Sequence, residues 1–181
     1  MELNIAIFQW FHQFAHMSSV IDGVIRFCAN PLGILLVVLI AWYLLRHHTH
    51  VHGLWELCAF FGVAFLSAGA AYIIKEALPT LRPTDYFPSL DPLIAVGGGA
   101  FPSMHTAFYA ALGGAMIVAH RRSGFLIILL ALVIGAARVA SGVHWPYDIL
   151  FGALLGVTMG WTAMKVCYGW MTTLLQVRVI S

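Results

Sequence analysis

Charge is what this sequence has least of. Only 9% of its 181 residues are Asp, Glu, Lys or Arg, nine basic against seven acidic, and the formal net charge is +2. So slight and scattered a basic excess leaves no electrostatic footprint for nucleic acid, and that class of partner is excluded. Cysteine is scarce as well. Cys28, Cys58 and Cys167 each fall in an apolar stretch with no metal-ligand spacing, which reads as small buried hydrophobes and implies no disulfide framework. The N-terminus lacks both a cationic leading region and a small-residue cleavage site, so no removable signal peptide is expected. What the chain does have is apolarity: 61% of residues are hydrophobic and the mean hydropathy is +0.91. A soluble domain of this length has no core large enough to hide that much, and the expected fold class is an all-α integral membrane protein.

A membrane-spanning helix needs roughly 20 apolar residues. Stretches near 27–45, 54–78, 101–119, 124–141 and 147–171 meet or approach that length, which predicts a bundle of five transmembrane helices within a single domain spanning 1–181. Residues 1–26 differ. Trp10, Phe14, Met17, Ile21 and Val24 recur at helical spacing, while Gln9, His12, Gln13, His16, Ser19, Asp22 and Arg26 fall on other faces. This pattern predicts an amphipathic helix at the membrane interface, with a tilted sixth span as the alternative. Five spans place loops 79–100 and 142–146 on one side. Arg46, Arg121, Arg122, Lys165 and Arg178 gather on or near the other, and the positive-inside rule makes that other side cytoplasmic.

Three cations resist that explanation. Lys75, Arg82 and Arg138 lie in or beside spans on the outer side, where an intramembrane charge marks function or a specific partner by default. Snorkelling to the headgroups accounts for Lys75 alone, and less well for the three together with His105, His144 and Asp148. Three cations without nearby carboxylates make a site for a polyanion. His105 opens a span in "FPSMHTAF" and His144 precedes another in "HWPYD", each with a proline beside the helix start. Free N–H groups at such ends favour an anion. Four residues separate His144 from Asp148, so the carboxylate can reach one imidazole nitrogen and leave the other free to attack. His105, from a different helix, is then placed to protonate a leaving oxygen. The cations and Ser103 are suited to a phosphoryl group in transit.

The segments carrying these residues resemble a known family. "KEALPTLRP" from Lys75 to Pro83 fits K-x6-R-P, "PSMH" from Pro102 to His105 fits P-S-G-H with one change, and "ARVASGVHWPYD" from Ala137 to Asp148 fits S-R-x5-H-x3-D with its first position changed. In this order they resemble the type 2 phosphatidic acid phosphatase superfamily. The chain's size, its short amphipathic beginning and its F-P-S-x-H form are similar to the small bacterial undecaprenyl pyrophosphate phosphatases of the bacitracin-resistance type. The resemblance implies a metal-independent hydrolase acting on a lipid phosphate or pyrophosphate, with no cofactor. His144 would be the nucleophile, Asp148 its partner and His105 the acid, with Lys75, Arg82, Ser103 and Arg138 holding phosphate. Met104 stands where the family has glycine and Ala137 where it has serine, implying slower or differently selective chemistry. Phosphatidylglycerophosphate or phosphatidate hydrolysis, phosphate transfer to another acceptor, and headgroup binding or transport without catalysis are the alternatives.

Other polar features read more simply. The tract "RHHTHVH", with His47, His48, His50 and His52, has no carboxylate or cysteine support and reads as a headgroup-level loop, not a metal site. His12 and His16 read as solvated interface residues, and Glu56 is given no role. Glycines in "ALGGAMIVA" and "FGALLGVTMG" fit either tight packing within the bundle or dimerisation, which leaves the oligomeric state open.

Overall fold

The computed structural model describes the backbone of residues 1–47 and 50–180 and the side chains of residues 1–46 and 53–170. His47, His48, His50 and His52 of the histidine tract, and Arg178, lie outside the described side chains. Within the described residues there are eight helices and no strand: α1 (Glu2–His12), α2 (Ser19–Ala29), α3 (Pro31–His47), α4 (His50–Ala77), α5 (Pro83–Tyr86), α6 (Met104–Ala119), α7 (Arg121–Ala140) and α8 (Pro146–Ile180).

α6 is the axis of the bundle, packed on α4, α7 and α8. Its contact with α8 is close because Gly152, Gly156 and Gly160 recur every four residues along α8. A methyl group added to Gly152 would meet the Ser103 carbonyl at 2.7 Å, and one added at Gly156 or Gly160 would strike the carbonyls of Ala107 and Ala111. These small residues therefore serve packing inside one chain. Ala110, Ala111, Leu112 and Ala115 of α6 are fully buried, and with Leu44, Phe60, Ile134 and Met164 they belong to the main core. Large apolar side chains on the opposite faces of α3, α4, α7 and α8, such as Val38, Phe65, Leu129 and Leu154, remain exposed, as a lipid-facing surface requires.

Among the described residues, three helices are by length and composition able to cross a bilayer, over Gly53–Ala77, Arg121–Ala140 and Pro146–Trp170, and α2 with α3 makes a fourth if their 44° bend lies within one span. The expected stretches near 27–45, 54–78, 101–119, 124–141 and 147–171 correspond to α3, α4, α6, α7 and α8. The bend falls at Asn30 because Pro31 restricts the residue before it and cannot continue the α2 hydrogen-bond ladder. α6 is the shortfall. Ser103 caps it, so the helix begins at Met104 and runs 16 residues, about 24 Å. Walled by three neighbours, it has little need to match the hydrocarbon thickness.

The expected single amphipathic helix over 1–26 is two helices joined by a turn, with His16 at φ 64°. Trp10, Met17 and Val24 of the expected apolar stripe are exposed. The inward residues are Asn4 and Phe8 of α1 and Ile25 and Ala29 of α2. Helical period fixes faces only relative to one another; what α1 and α2 pack against decides which face turns in.

Candidate active site

The site forms where α4, α6, α7 and α8 meet the 78–103 segment. Each motif maps onto a helix end. α7 finishes in a Schellman motif: Gly142 at φ 86° donates to the Val139 carbonyl at 3.0 Å, and Val143 donates to the Arg138 carbonyl at 3.2 Å. This closure sets the Arg138-to-His144 spacing, because Arg138 supplies the carbonyl that the motif caps and His144 is the next residue out. Beyond it, Trp145 is the residue before α8. The Asp148 Oδ2 atom accepts the Trp145 N–H at 2.8 Å and lies 3.2 Å from His144 Nδ1. One carboxylate oxygen thus closes the first turn of α8 and orients the imidazole.

His144 and Asp148 are both buried. Burial first, and then the charges of Arg138, Arg82 and Lys75, push the His144 pKa well below the usual imidazole range, so the ring is neutral near pH 7. A neutral imidazole has a lone pair to attack with.

α6 joins the same corner through its N-terminus. The Ser103 N–H donates to the Asp148 carbonyl at 3.0 Å. Its hydroxyl accepts from the Thr106 N–H and from Thr106 Oγ1, which leaves its own hydrogen for an incoming anion. His105, exposed in the first turn of α6, lies within electrostatic reach of Arg138, His144 and Lys75. Sequence-distant histidines therefore converge at one end of the bundle.

The three cations are buried but differ in their freedom. Lys75, in the last turn of α4, lies against Gly99 and within the fields of Arg82, Asp148 and Arg138. Arg82 is largely occupied: Nε donates to the Gly98 carbonyl at 2.8 Å, Nη2 to those of Gly97 and Gly99 at 2.9 and 3.0 Å, and Nη1 to that of Val143 at 2.6 Å. Gly98 at φ 72° turns the chain so that three successive carbonyls meet one guanidinium, a conformation glycine adopts without strain. Of the five N–H donors of Arg82, one on Nη1 remains. Burial lowers its pKa, opposed by Asp148 and Asp85. Arg138 is the opposite case. At 2% exposure, its Nη1 donates to Asn30 Oδ1 at 2.9 Å and to the Ala29 carbonyl at 3.4 Å, while its buried Nε has no partner among the described residues. A buried guanidinium N–H of this kind is a donor that an anion can use.

Of the two departures from the motif, Ala137 is buried in the last turns of α7, and Met104 is the first residue of α6, lining with His105, Phe65 and Phe108 a surface cavity of about 320 Å³. A second cavity, of about 440 Å³, reaches Asp148 and Trp145 between Met1, Leu81, Phe101, Tyr147 and Phe151.

Sequence reasoning missed three contributors. Asn30 holds Arg138; Trp145 is pinned by its indole N–H to the Leu81 carbonyl at 2.9 Å; and Asn4 reaches the start of α8. Asn30 had one legible signal, a polar residue before a proline in an apolar run. Glu56, assigned no role, accepts from Tyr168 at 2.6 Å and lies 3.2 Å from His120 Nε2, tying α4 and α8 to the end of α6.

An all-helical bundle with exposed apolar flanks is closed at one end over a buried histidine–carboxylate pair and three cations, an arrangement suited to a bound phosphoryl group at a membrane surface. Residues 53–173 match the PAP2 superfamily, and the chain belongs to it. It is 31% identical over 174 residues to the Bacillus licheniformis bacitracin transport permease protein BcrC, across 92% of this chain and 84% of that one. With the undecaprenyl-diphosphatase BcrC of Bacillus subtilis (strain 168) it shares 25% over 160 residues, covering 87% and 81%. Among solved structures, Aquifex aeolicus LpxE superposes with a TM-score of 0.71 at 21% identity, covering 90% of this chain and 95% of that chain. The PAP2 type phosphatidylglycerolphosphate phosphatase of Bacillus subtilis gives 0.64 at 19% identity, covering 93% and 86%. At those identities the structural likeness is one of fold.

Proposed function

We propose that this protein hydrolyses a lipid pyrophosphate, undecaprenyl pyrophosphate being the leading substrate, through a phosphohistidine at His144, with 1–181 acting as one catalytic unit. The observation that carries the reading is the pairing of Asp148 with His144 beside the unpartnered Nε of Arg138: an oriented nucleophile next to a vacant anion donor. In the first step the free imidazole nitrogen attacks the terminal phosphorus. A P–N bond forms as the P–O bond to the departing lipid phosphate breaks, and His105 gives that oxygen its proton. Water then attacks the phosphohistidine and passes a proton to His105, and the P–N bond breaks to release inorganic phosphate. Arg138, Lys75, the Ser103 hydroxyl and the last Arg82 donor would hold the equatorial oxygens.

The substrate assignment draws on the Bacillus subtilis relative, whose name specifies undecaprenyl-diphosphatase activity. The apolar cavity beside Asp148 suits a substrate that stays in the bilayer. An extracytoplasmic site is supported by charge: Arg46, Arg121, Arg122 and Lys165 lie toward the helix ends away from His144. The test is phosphate release by purified protein from undecaprenyl pyrophosphate, phosphatidylglycerophosphate and phosphatidate, with and without a strong chelator. Release that prefers undecaprenyl pyrophosphate and persists under chelation is expected. Preference for a glycerolipid redirects the substrate, and loss restored by one divalent ion overturns the metal-free mechanism.

A second reading, lipid binding or transport without hydrolysis, is favoured by the name of the Bacillus licheniformis relative, a transport permease protein. It predicts saturable lipid binding with no phosphate released. The Asp148–His144 pair weighs against it, because holding a headgroup needs no oriented imidazole.

A further inference from the structure

The start of α8 carries Asp148, so the placement of that helix end sets the nucleophile. A complete capping box uses two side chains, one at the third helical position reaching back to the cap N–H, and one on the cap residue reaching forward. Here the backward half is present, Asp148 to the Trp145 N–H at 2.8 Å. The forward half is missing, because an indole on Trp145 has no acceptor to offer. Pro146 has no N–H, and the Asp148 N–H is taken by the Trp145 carbonyl at 3.0 Å, which leaves the Tyr147 N–H without a local partner. That N–H donates instead to Asn4 Oδ1 at 3.2 Å, across 143 residues of sequence. Asn4 is only 6% exposed on a helix whose other inward side chain, Phe8, packs against Trp145 with ring centroids 5.1 Å apart and planes tilted by 58°. One turn of α1 thus grips both the cap residue of α8 and its unsatisfied donor.

We propose that Asn4 is a positioning residue for the reaction, supplying from α1 the missing half of the α8 cap and so fixing Asp148 against His144. It touches no reacting atom; it acts through the helix end. This rests on the catalytic reading of His144 and Asp148, and the experiment separates the two.

Asn4→Ala removes the acceptor, Asn4→Asp keeps one, and Asn4→Gln keeps the amide but displaces it by a methylene. With undecaprenyl pyrophosphate as probe, we expect kcat to fall about tenfold in the Ala and Gln variants with KM within about twofold, and to return to within about threefold of wild type in the Asp variant. A second readout needs no turnover. In 15N-histidine-labelled protein, the Nδ1 resonance missing from His144→Gln should shift in Asn4→Ala and Asn4→Gln and return in Asn4→Asp. Wild-type kcat in the Ala and Gln variants, a change confined to KM, or an unmoved His144 resonance overturns the proposal. If the wild-type protein releases no phosphate from any lipid while the resonance still follows Asn4, the catalytic reading fails and the positioning contact stands. Should Asn4→Ala not fold, Asn4→Gln against Asn4→Asp decides both readouts.

Discussion

Asp148 Oδ2 sits 3.2 Å from His144 Nδ1 and 2.8 Å from the Trp145 N–H, so a single oxygen both starts α8 and orients the imidazole. The two tasks separate on mutation. Asn at position 148 can still accept the Trp145 N–H while losing the negative charge that stabilises the imidazolium and selects its tautomer. Asp148→Asn should leave the protein folded and lower kcat about 10⁴-fold, by analogy with other carboxylate–histidine pairs. Phosphate release within threefold of wild type would show that the carboxylate charge is unimportant.

Arg138→Lys tests the vacant donor. Lysine keeps the charge but has neither the Nε–H nor a fork to share between Asn30 and an anion. The expected outcome is a fall in kcat/KM of about 10²-fold and weaker inhibition by orthovanadate. Unchanged vanadate inhibition would mean that Arg138 does not grip the phosphoryl group.

Arg82→Lys tests a different kind of cation. Its guanidinium holds the carbonyls of Gly97, Gly98, Gly99 and Val143 together, and an ammonium cannot reach all four. Leaving even one or two carbonyls unsatisfied costs about 1–3 kcal/mol each. The variant should lose thermal stability as well as turnover. A variant with wild-type Tm and reduced turnover would instead make Arg82 chiefly a phosphate ligand.

The depressed pKa of His144 has a direct spectroscopic consequence. Its folded value lies below the unfolded one, so the folded protein resists protonation there as pH falls, and the neutral form persists below the ordinary imidazole range. Among the nine histidines, the resonance missing in His144→Gln should stay that of a neutral ring as pH falls through the ordinary imidazole midpoint of about 6.5. A midpoint near 6.5 would place the ring in contact with water.

The placement of the candidate residues was legible in the sequence because the motifs coincide with helix ends. The spacing from Arg138 to His144 is the length of a Schellman closure, and that from His144 to Asp148 is the first turn of a helix. Faces and partners were less legible. Apolar periodicity in 1–26 has no way to show that Asn4 turns inward, because its partner, the Tyr147 N–H, is 143 residues away. Hydropathy counted Phe101 to Ser103 into a span, whereas capping by Ser103 starts α6 at Met104. Nor does a charge pattern distinguish Arg82, with four of its five donors on carbonyls, from Arg138, whose buried Nε is open.

In the proposed mechanism the phosphoryl group passes through His144. Acid-sensitive, base-stable label should be trapped on the protein when it is quenched during turnover of lipid pyrophosphate carrying radioactive terminal phosphate. The label should map to His144 and be absent, along with turnover, in His144→Ala. Label on another residue, or full turnover in that variant, would contradict it.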